Sequence, residues 1–258
     1  MPSSDRFTGR VAIVTGAGRG IGAAVALGLA REGATVVAND VTADALAETV
    51  AKEPSIRAVP GDISDPATSD ALVAAALEAG GLHLIANVAG VFTSASADTI
   101  TTEAYRRDMG VNVDGIVHLV RAAAPTLIGQ RGGAILNVAS TAGFQAVPNA
   151  FSYVVTKHAV VGITKSLSTD WARYSIRVNA LCPGPTMTEM TAEFARMHPD
   201  RHARRIARIP LGRASDPTEQ AAVALFLLSD DAGFVTGQSV TVDGGGEAMH
   251  SGYDLPAS

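Results

Sequence analysis

The stretch Val11-Ala12-Ile13-Val14-Thr15-Gly16-Ala17-Gly18-Arg19-Gly20-Ile21-Gly22 decides the fold. Its first half is short, apolar and rich in β-branched residues, the pattern of a strand buried on both faces. This strand, read over Arg10–Thr15, ends abruptly in a glycine cluster, and a helical pattern follows from Ile21 to Arg31 with Gly33 placed to stop it. A glycine-rich turn between strand and helix lets backbone N–H groups approach a pyrophosphate at the helix N-terminus, where the dipole favours anions. The spacing is T-G-x-x-x-G-x-G, through Gly16, Gly20 and Gly22, and not the commoner G-x-G-x-x-G. Asp40 closes the next strand candidate, where an acid can bind the hydroxyls of an adenosine ribose.

Charge then separates the two nicotinamide dinucleotides. A 2′-phosphate carries about −1.5 to −2 charges. Each charge pair with a carboxylate at about 4 Å costs on the order of 4 kcal/mol at an effective dielectric near 20. Asp40 therefore opposes NADP, whereas Arg19 on the glycine loop would favour it and Val41 adds no second cation. The balance favours NAD.

Outward from this unit, strand candidates at Thr35–Ala38, Ile56–Pro60, His83–Ala86, Ala134–Ala139, Arg177–Leu181 and Ser239–Val242 alternate with helical stretches. The helices fall at Ala43–Lys52, Pro66–Ala79, Thr102–Gly129 (one or two), Phe151–Arg173 and Pro217–Ser229. Alternation of this kind predicts an α/β protein, a single-domain doubly wound Rossmann fold with about seven parallel strands and helices on both faces. No linker, repeat or low-complexity segment interrupts residues 1–258, which read as one dinucleotide-binding and catalytic domain. The one departure is Pro185–Arg213, long and rich in charge and methionine.

Composition narrows the function classes. The 258 residues are 47% hydrophobic and 17% charged with a net charge of −5, which excludes a disordered chain and lacks the basic footprint of a nucleic-acid binder. Cys182 is the only cysteine, so neither an intrachain disulfide nor a multi-cysteine metal site is expected. No apolar run suffices to cross a bilayer and no signal-peptide core is visible, so the expectation is a cytoplasmic protein with no membrane partner. Lysines number only three, Lys52, Lys157 and Lys165, which makes each worth a question.

Lys157 follows Tyr153 by four residues on a predicted helix, hence on one face. A free tyrosine has a pKa near 10, and a neighbouring ammonium lowers it toward a usable general acid or base. Ser140 lies just past the fifth strand, at the edge where open parallel sheets bind ligands, and its hydroxyl could hold a substrate oxygen beside the phenol. As a nucleophile it lacks the G-x-S-x-G elbow and an evident His–acid pair.

On these residues the chain resembles the short-chain dehydrogenase/reductase family, from about Arg10 to Gly245. The resemblance implies a catalytic tetrad of Asn112, Ser140, Tyr153 and Lys157, with Asn112 standing in Gly110-Val111-Asn112-Val113. It also implies a cofactor surface of Gly16, Arg19, Gly20, Ile21, Gly22 and Asp40. To these it adds Asp62 and Ile63 flanking the adenine, and Asn87, Ala89 and Gly90 after the fourth strand. Tyr153 and Lys157 would touch the cofactor too, and Pro183, Gly184, Thr186 and Thr188 would border the nicotinamide. Val242-Asp243-Gly244-Gly245 closes the pattern, and Val88 stands where the family often has a second asparagine.

The implied activity is hydride transfer between NAD(H) and a small-molecule secondary alcohol or ketone, with no metal. In this scheme Tyr153 exchanges the proton, Ser140 orients the substrate oxygen, Lys157 binds the nicotinamide ribose and lowers the tyrosine pKa, and Asn112 holds a water that links Lys157 to solvent. The alternatives are an NADPH-dependent 3-oxoacyl-thioester (acyl-carrier-protein) reductase and a non-catalytic NAD-sensing protein on the same fold. The family's habit is a homo-tetramer, with which the apolar Thr236–Val242 is compatible.

Segment 185–213 is expected to be a substrate lid, carrying Arg196, Arg201, Arg204, Arg205, Arg208 and Arg213. Phe92, Phe144, Gln145, Val147, Met187 and Met190 are candidate pocket residues by position. Cys182 reads as a buried apolar residue, His83, His118 and His158 as structural, and Asn149 as a possible cap for the Tyr153 helix. His198 and His202 are four apart but lack a visible third metal ligand.

Overall fold

Residues 5–249 are described by a computed structural model of the chain. Strand β1 (Val11–Thr15) shows why the sheet must be covered on both sides. Successive side chains of a strand point to opposite faces. Ala12 and Val14 join one apolar layer with Val25, Ala26 and Leu29 of α1 (Gly20–Arg31) and Leu225 and Leu228 of α9 (Pro217–Leu228). Val11 and Ile13 join the other, with Leu72 and Val73 of α3 (Pro66–Glu78), Leu119 of α5 (Gly115–Gln130) and Val160 of α6 (Phe151–Trp171).

The remaining strands are β2 (Thr35–Asn39), β3 (Ile56–Ala58), β4 (Leu84–Asn87), β5 (Gly133–Val138), β6 (Ile176–Pro183) and β7 (Ser239–Val242). All seven are parallel, in the order β3-β2-β1-β4-β5-β6-β7. The chain winds outward from β1 to β3, then returns to place β4 on the other side of β1. The crevice between β1 and β4 is the topological switch point where open α/β sheets bind ligands. Thr15 is level with both Asn39 and Asn87, so three strands end together at that crevice.

Four differences from the sequence reading have local causes. Strand β3 stops at Ala58, although Val59 and Gly61 still donate to Ala38 and Asp40; Pro60 falls between these two donors, where its missing N–H breaks no bond to β2. The Thr102–Gly129 stretch is α4 (Thr102–Met109), a five-residue π-helical turn (Gly110–Asp114) and α5, with Pro125 inside α5. Asn149 takes a left-handed conformation (φ 57°) and caps nothing, since α6 begins after Ala150 without a side-chain cap. His158 is exposed on α6 and donates from Nδ1 to the Val154 carbonyl, so it is no core residue. Cys182 is fully buried, as expected.

Segment 185–213 is more regular than its composition suggested. It holds α7 (Glu189–Met197) and α8 (Pro199–Ile206), and its neck is closed by a parallel bridge between Thr186 and Ser215. Among the described residues no helix is long and apolar enough to cross a membrane.

Candidate active site

The glycine loop fits a bound diphosphate for three local reasons. Gly16 has φ +64°, and a Cβ there would lie 2.8 Å from the Ala89 α-carbon, so only glycine allows β1 and the segment after β4 to close up. At Gly22 a Cβ would fall 1.9 Å from the Gly16 carbonyl oxygen, which lets α1 start directly against the loop. Helices α2 (Ala43–Lys52), α3, α4 and α9 all begin under a Thr or Asp cap. Helix α1 instead begins at Arg19 with no side-chain cap and no acid in its first turn. Its first N–H groups and the positive end of its dipole are therefore left for an anion. Thr15 fixes the crevice, its hydroxyl accepting from the N–H groups of Val88 and Ala89.

Asp40 stands immediately past β2 and is held against the loop. Its Oδ2 accepts from the Gly18 N–H at 3.0 Å and its Oδ1 from the Val41 N–H at 2.8 Å. Arg19 turns away from it, donating to Glu189 of α7 at 2.8 Å with both side chains 73% exposed. An exposed pair of this kind contributes about 0–1 kcal/mol.

The tetrad residues converge from β5, the π-helical turn and α6. Ser140 follows β5, and its Oγ accepts from the Ala142 N–H at 3.1 Å, which leaves the hydroxyl proton for the Tyr153 phenol to which it is bonded. Tyr153, in the first turn of α6, stacks edge-on against Phe92 at 5.3 Å between centroids. Crowding by the surrounding protein pushes its phenol above the ordinary tyrosine value, opposed by the Ser140 hydrogen bond and the positive charge of Arg205. Lys157, one turn on, places its Nζ 5.5 Å from the Tyr153 ring centroid and donates to the Val138 carbonyl at 2.8 Å. Burial brings its pKa down to about 8.

Asn112 lies in the π-helical turn, fully buried, and its amide is already engaged. Oδ1 accepts from the Val91 N–H at 2.8 Å, while Nδ2 donates to the Val91 carbonyl and to Thr156. Gly90 completes this corner: a Cβ there would be 3.5 Å from Asn112 Oδ1 and 3.6 Å from Lys157 Nζ.

Other expected cofactor residues are placed differently from one another. Asp62 is exposed and accepts from the N–H and hydroxyl of Ser64. The Ile63 side chain is in the core against Gly115, so only its backbone can face a ligand. Asn87 is buried and donates to Asn137, which donates in turn to Thr164, so its amide ties β4 to β5 and α6; its Oδ1 has no partner. Ile21 is half-buried on α1 and packs against the core. Pro183 ends β6, and Gly184 makes room for Asp243, whose Cβ would be 2.5 Å from a Cβ there. Thr186 bonds to Ser215 at the neck, whereas Thr188 reaches over the glycine loop, its Cγ2 3.1 Å from where a Gly20 Cβ would stand.

Phe92, Phe144, Val147 and Met187 are exposed and apolar, with Phe92 against the Tyr153 ring, and Gln145 is exposed as well. The Met190 side chain lies outside the described residues, as does the tail from residue 250. His198 and His202 acquire no third metal-ligating residue among those described.

Sequence reasoning missed Asp108. This fully buried carboxylate accepts from Ser152 at 2.5 Å, from Thr93 at 3.0 Å and from Arg107 at 3.0 Å. It ties α4 to the residue before Tyr153 and to the loop carrying Phe92. Two of those partners are 15 and 44 residues away, so no local pattern announces it.

Comparison with known proteins bears on the family of the whole chain. A family profile described as enoyl-(acyl carrier protein) reductase matches residues 16–247. The chain is similar to cyclohexanol dehydrogenase of an Acinetobacter species, 37% identical over 93% of this chain and 96% of that protein. It is also similar to 3-oxoacyl-(acyl-carrier-protein) reductase of Thermotoga maritima, at 35% over 93% and 98%. A solved structure from Beutenbergia cavernae, provisionally assigned as an NAD(P)-dependent gluconate 5-dehydrogenase and holding NADP at low occupancy, superposes with a TM-score of 0.89. It is 36% identical, covering 94% of this chain and 98% of that one.

Proposed function

Because the chain belongs to the short-chain dehydrogenase/reductase family, an oxidoreductase family using nicotinamide dinucleotides, we propose that it transfers hydride between NAD(H) and a secondary alcohol or ketone. The observation that carries the choice of NAD is Asp40. Its carboxylate is fixed by two backbone N–H groups beside the glycine loop, where a 2′-phosphate would meet it, and Arg19 is turned toward Glu189.

When bound, the nicotinamide supplies the hydride acceptor or donor; the protein supplies proton handling and position. Tyr153 in its phenolate form takes the carbinol proton during oxidation and returns it during reduction. Ser140, its oxygen anchored by Ala142, donates to the substrate oxygen and so polarises it. Lys157 lies within reach of the ribose side of the crevice, near Gly90, and its ammonium stabilises the phenolate once formed. The Asn112 side chain is engaged with Val91 and Thr156, which ties the segment after β4 to α6 beside Lys157.

Segment 185–213 acts as the lid of a single catalytic domain, closed at its neck by Thr186 and Ser215 and touching the cofactor loop through Thr188 and Glu189. The β7 edge of the sheet supports assembly into a homo-tetramer, and the single buried cysteine suits the cytoplasm. A second reading, NADPH-dependent reduction of 3-oxoacyl thioesters, draws on the Thermotoga relative and is opposed by Asp40. Titration with NADH and NADPH side by side, read by nucleotide fluorescence, tests the choice. Tighter NADH binding is expected; tighter NADPH binding would install the second reading, and binding of neither would remove both.

A further inference from the structure

Helix α6 carries Tyr153 in its first turn, yet that turn has no side-chain cap of its own, unlike α2, α3, α4 and α9. The first N–H groups of a helix need partners from outside it. Here three contacts from other elements hold the turn. The Phe151 N–H donates to the Ala95 carbonyl at 3.0 Å, beside a parallel bridge between Ala95 and Ala150. The Phe151 ring lies 6.4 Å from that of Tyr105 on α4, centroid to centroid. The third contact is Asp108, fully buried like Ser152 itself, whose Oδ2 accepts from the Ser152 hydroxyl at 2.5 Å. Its Oδ1 accepts from Thr93 and from Arg107, each at 3.0 Å, and Arg107 also donates to Thr93 at 2.9 Å. Thr93 follows Phe92, the ring packed edge-on against Tyr153. One carboxylate thus holds both the residue before Tyr153 and the residue after the ring that touches it. A carboxylate at this depth returns little net stability for its desolvation; what it fixes is geometry.

We propose that Asp108 is a positioning residue for the proton transfer: through Ser152 and Thr93 it sets where the Tyr153 hydroxyl stands. This rests on the oxidoreductase reading above and adds to it a residue outside the tetrad. Consecutive side chains on a helix point about 100° apart. Ser152 accordingly faces Asp108 on α4 while Tyr153 faces Phe92. The bond at Ser152 therefore resists rotation of the first turn about the helix axis without touching the reacting atoms. A tyrosine hydroxyl stands roughly 8 Å from that axis, so a rotation of about 7° displaces it by about 1 Å. A displacement of that size can cost about 100-fold in rate. Lys157, one turn on, is held separately by the Val138 carbonyl at 2.8 Å, so the displacement falls on Tyr153 and not on the lysine.

The test measures kcat per NADH-binding site, NADH affinity and Tm for the full chain and its variants, using NAD⁺ and the best secondary alcohol of a panel. Ser152→Ala deletes one hydroxyl and leaves the Ala95 and Tyr105 contacts in place, so it should lower kcat about 10-fold with NADH affinity within about twofold of wild type. Asp108→Asn keeps two polar atoms for hydroxyls that can reverse their bonds, and should recover most of the kcat that Asp108→Ala loses. Arg106→Met, exposed on the same helix, should leave kcat unchanged. Should Asp108→Ala fail to fold, Ser152→Ala decides. A Ser152→Ala protein with wild-type kcat, whatever its Tm, would overturn the inference and leave the oxidoreductase reading intact. A kcat that falls only in step with NADH affinity, or an Asp108→Asn no better than a folded Asp108→Ala, would overturn it as well, because a general loosening of the fold does that. Wild type that turns over no alcohol and no ketone would sink the oxidoreductase reading itself, and this inference with it.

Discussion

Replacing Lys157 by Met should make the protein more stable and inactive at once. Lys157 is 4% exposed, and burial lowers its pKa from 10.5 to about 8. Each pKa unit corresponds to about 1.4 kcal/mol, so keeping the ammonium charged in the folded state costs about 3 kcal/mol at neutral pH. Removing it leaves the Val138 carbonyl without its 2.8 Å donor, a loss of about 1 kcal/mol. Met has a similar shape and no charge, so the net expectation is a gain of about 2 kcal/mol, or about 4–8 °C in Tm for a chain of this size. The sign with pH follows from a folded pKa below the unfolded one. The wild-type penalty is complete below about 8 and is relieved as pH rises from about 8 to 10.5, because the unfolded chain then holds the extra proton. Denaturant titrations of both apo proteins at neutral pH and at pH values across that window measure it directly. A Lys157→Met protein that is less stable at neutral pH, or whose advantage grows toward alkaline pH, would refute the reasoning.

Tyr153→Phe should lower kcat by about two to four decades, the usual worth of a positioned general acid or base, with NADH affinity close to wild type. The raised phenol predicts that alcohol oxidation accelerates from neutral into alkaline pH as phenolate forms, whereas ketone reduction is level near neutrality and falls at high pH. Initial rates in both directions across pH will show whether the two profiles oppose each other. Asp40→Ala should shift the preference from NADH toward NADPH by about one to two decades, short of the unscreened charge cost because the site is partly open, as competitive titration can read. Asp108→Ala should cost about 3–5 kcal/mol in a denaturant titration by stripping Thr93, Ser152 and Arg107 of their shared acceptor.

The parts legible in the sequence were those whose physics is local. The run from Val11 to Gly22 contains its own strand, turn and helix start, and Tyr153 and Lys157 lie one helical turn apart. Boundaries failed where a neighbour decides: β6 runs on to Pro183 because β7 pairs with its last four residues. The π-helical turn at Gly110–Asp114 leaves no mark in hydrophobic period, since it adds one residue to an otherwise continuous helix. Asn112 was picked out as part of the candidate site, but which of its atoms are free depends on Val91 and Thr156. Asp108 was invisible for the same reason, being defined by a hydroxyl 44 residues along the chain.

The central claim is that Tyr153 moves a proton while NAD(H) carries the hydride. Its most direct test is the absorbance of reduced nicotinamide when wild type and Tyr153→Phe are each mixed with NAD⁺ and a panel of charged and neutral secondary alcohols. The account predicts reduced NADH from wild type with at least one alcohol and almost none from Tyr153→Phe, although both bind NADH. Equal rates from the two proteins would contradict it.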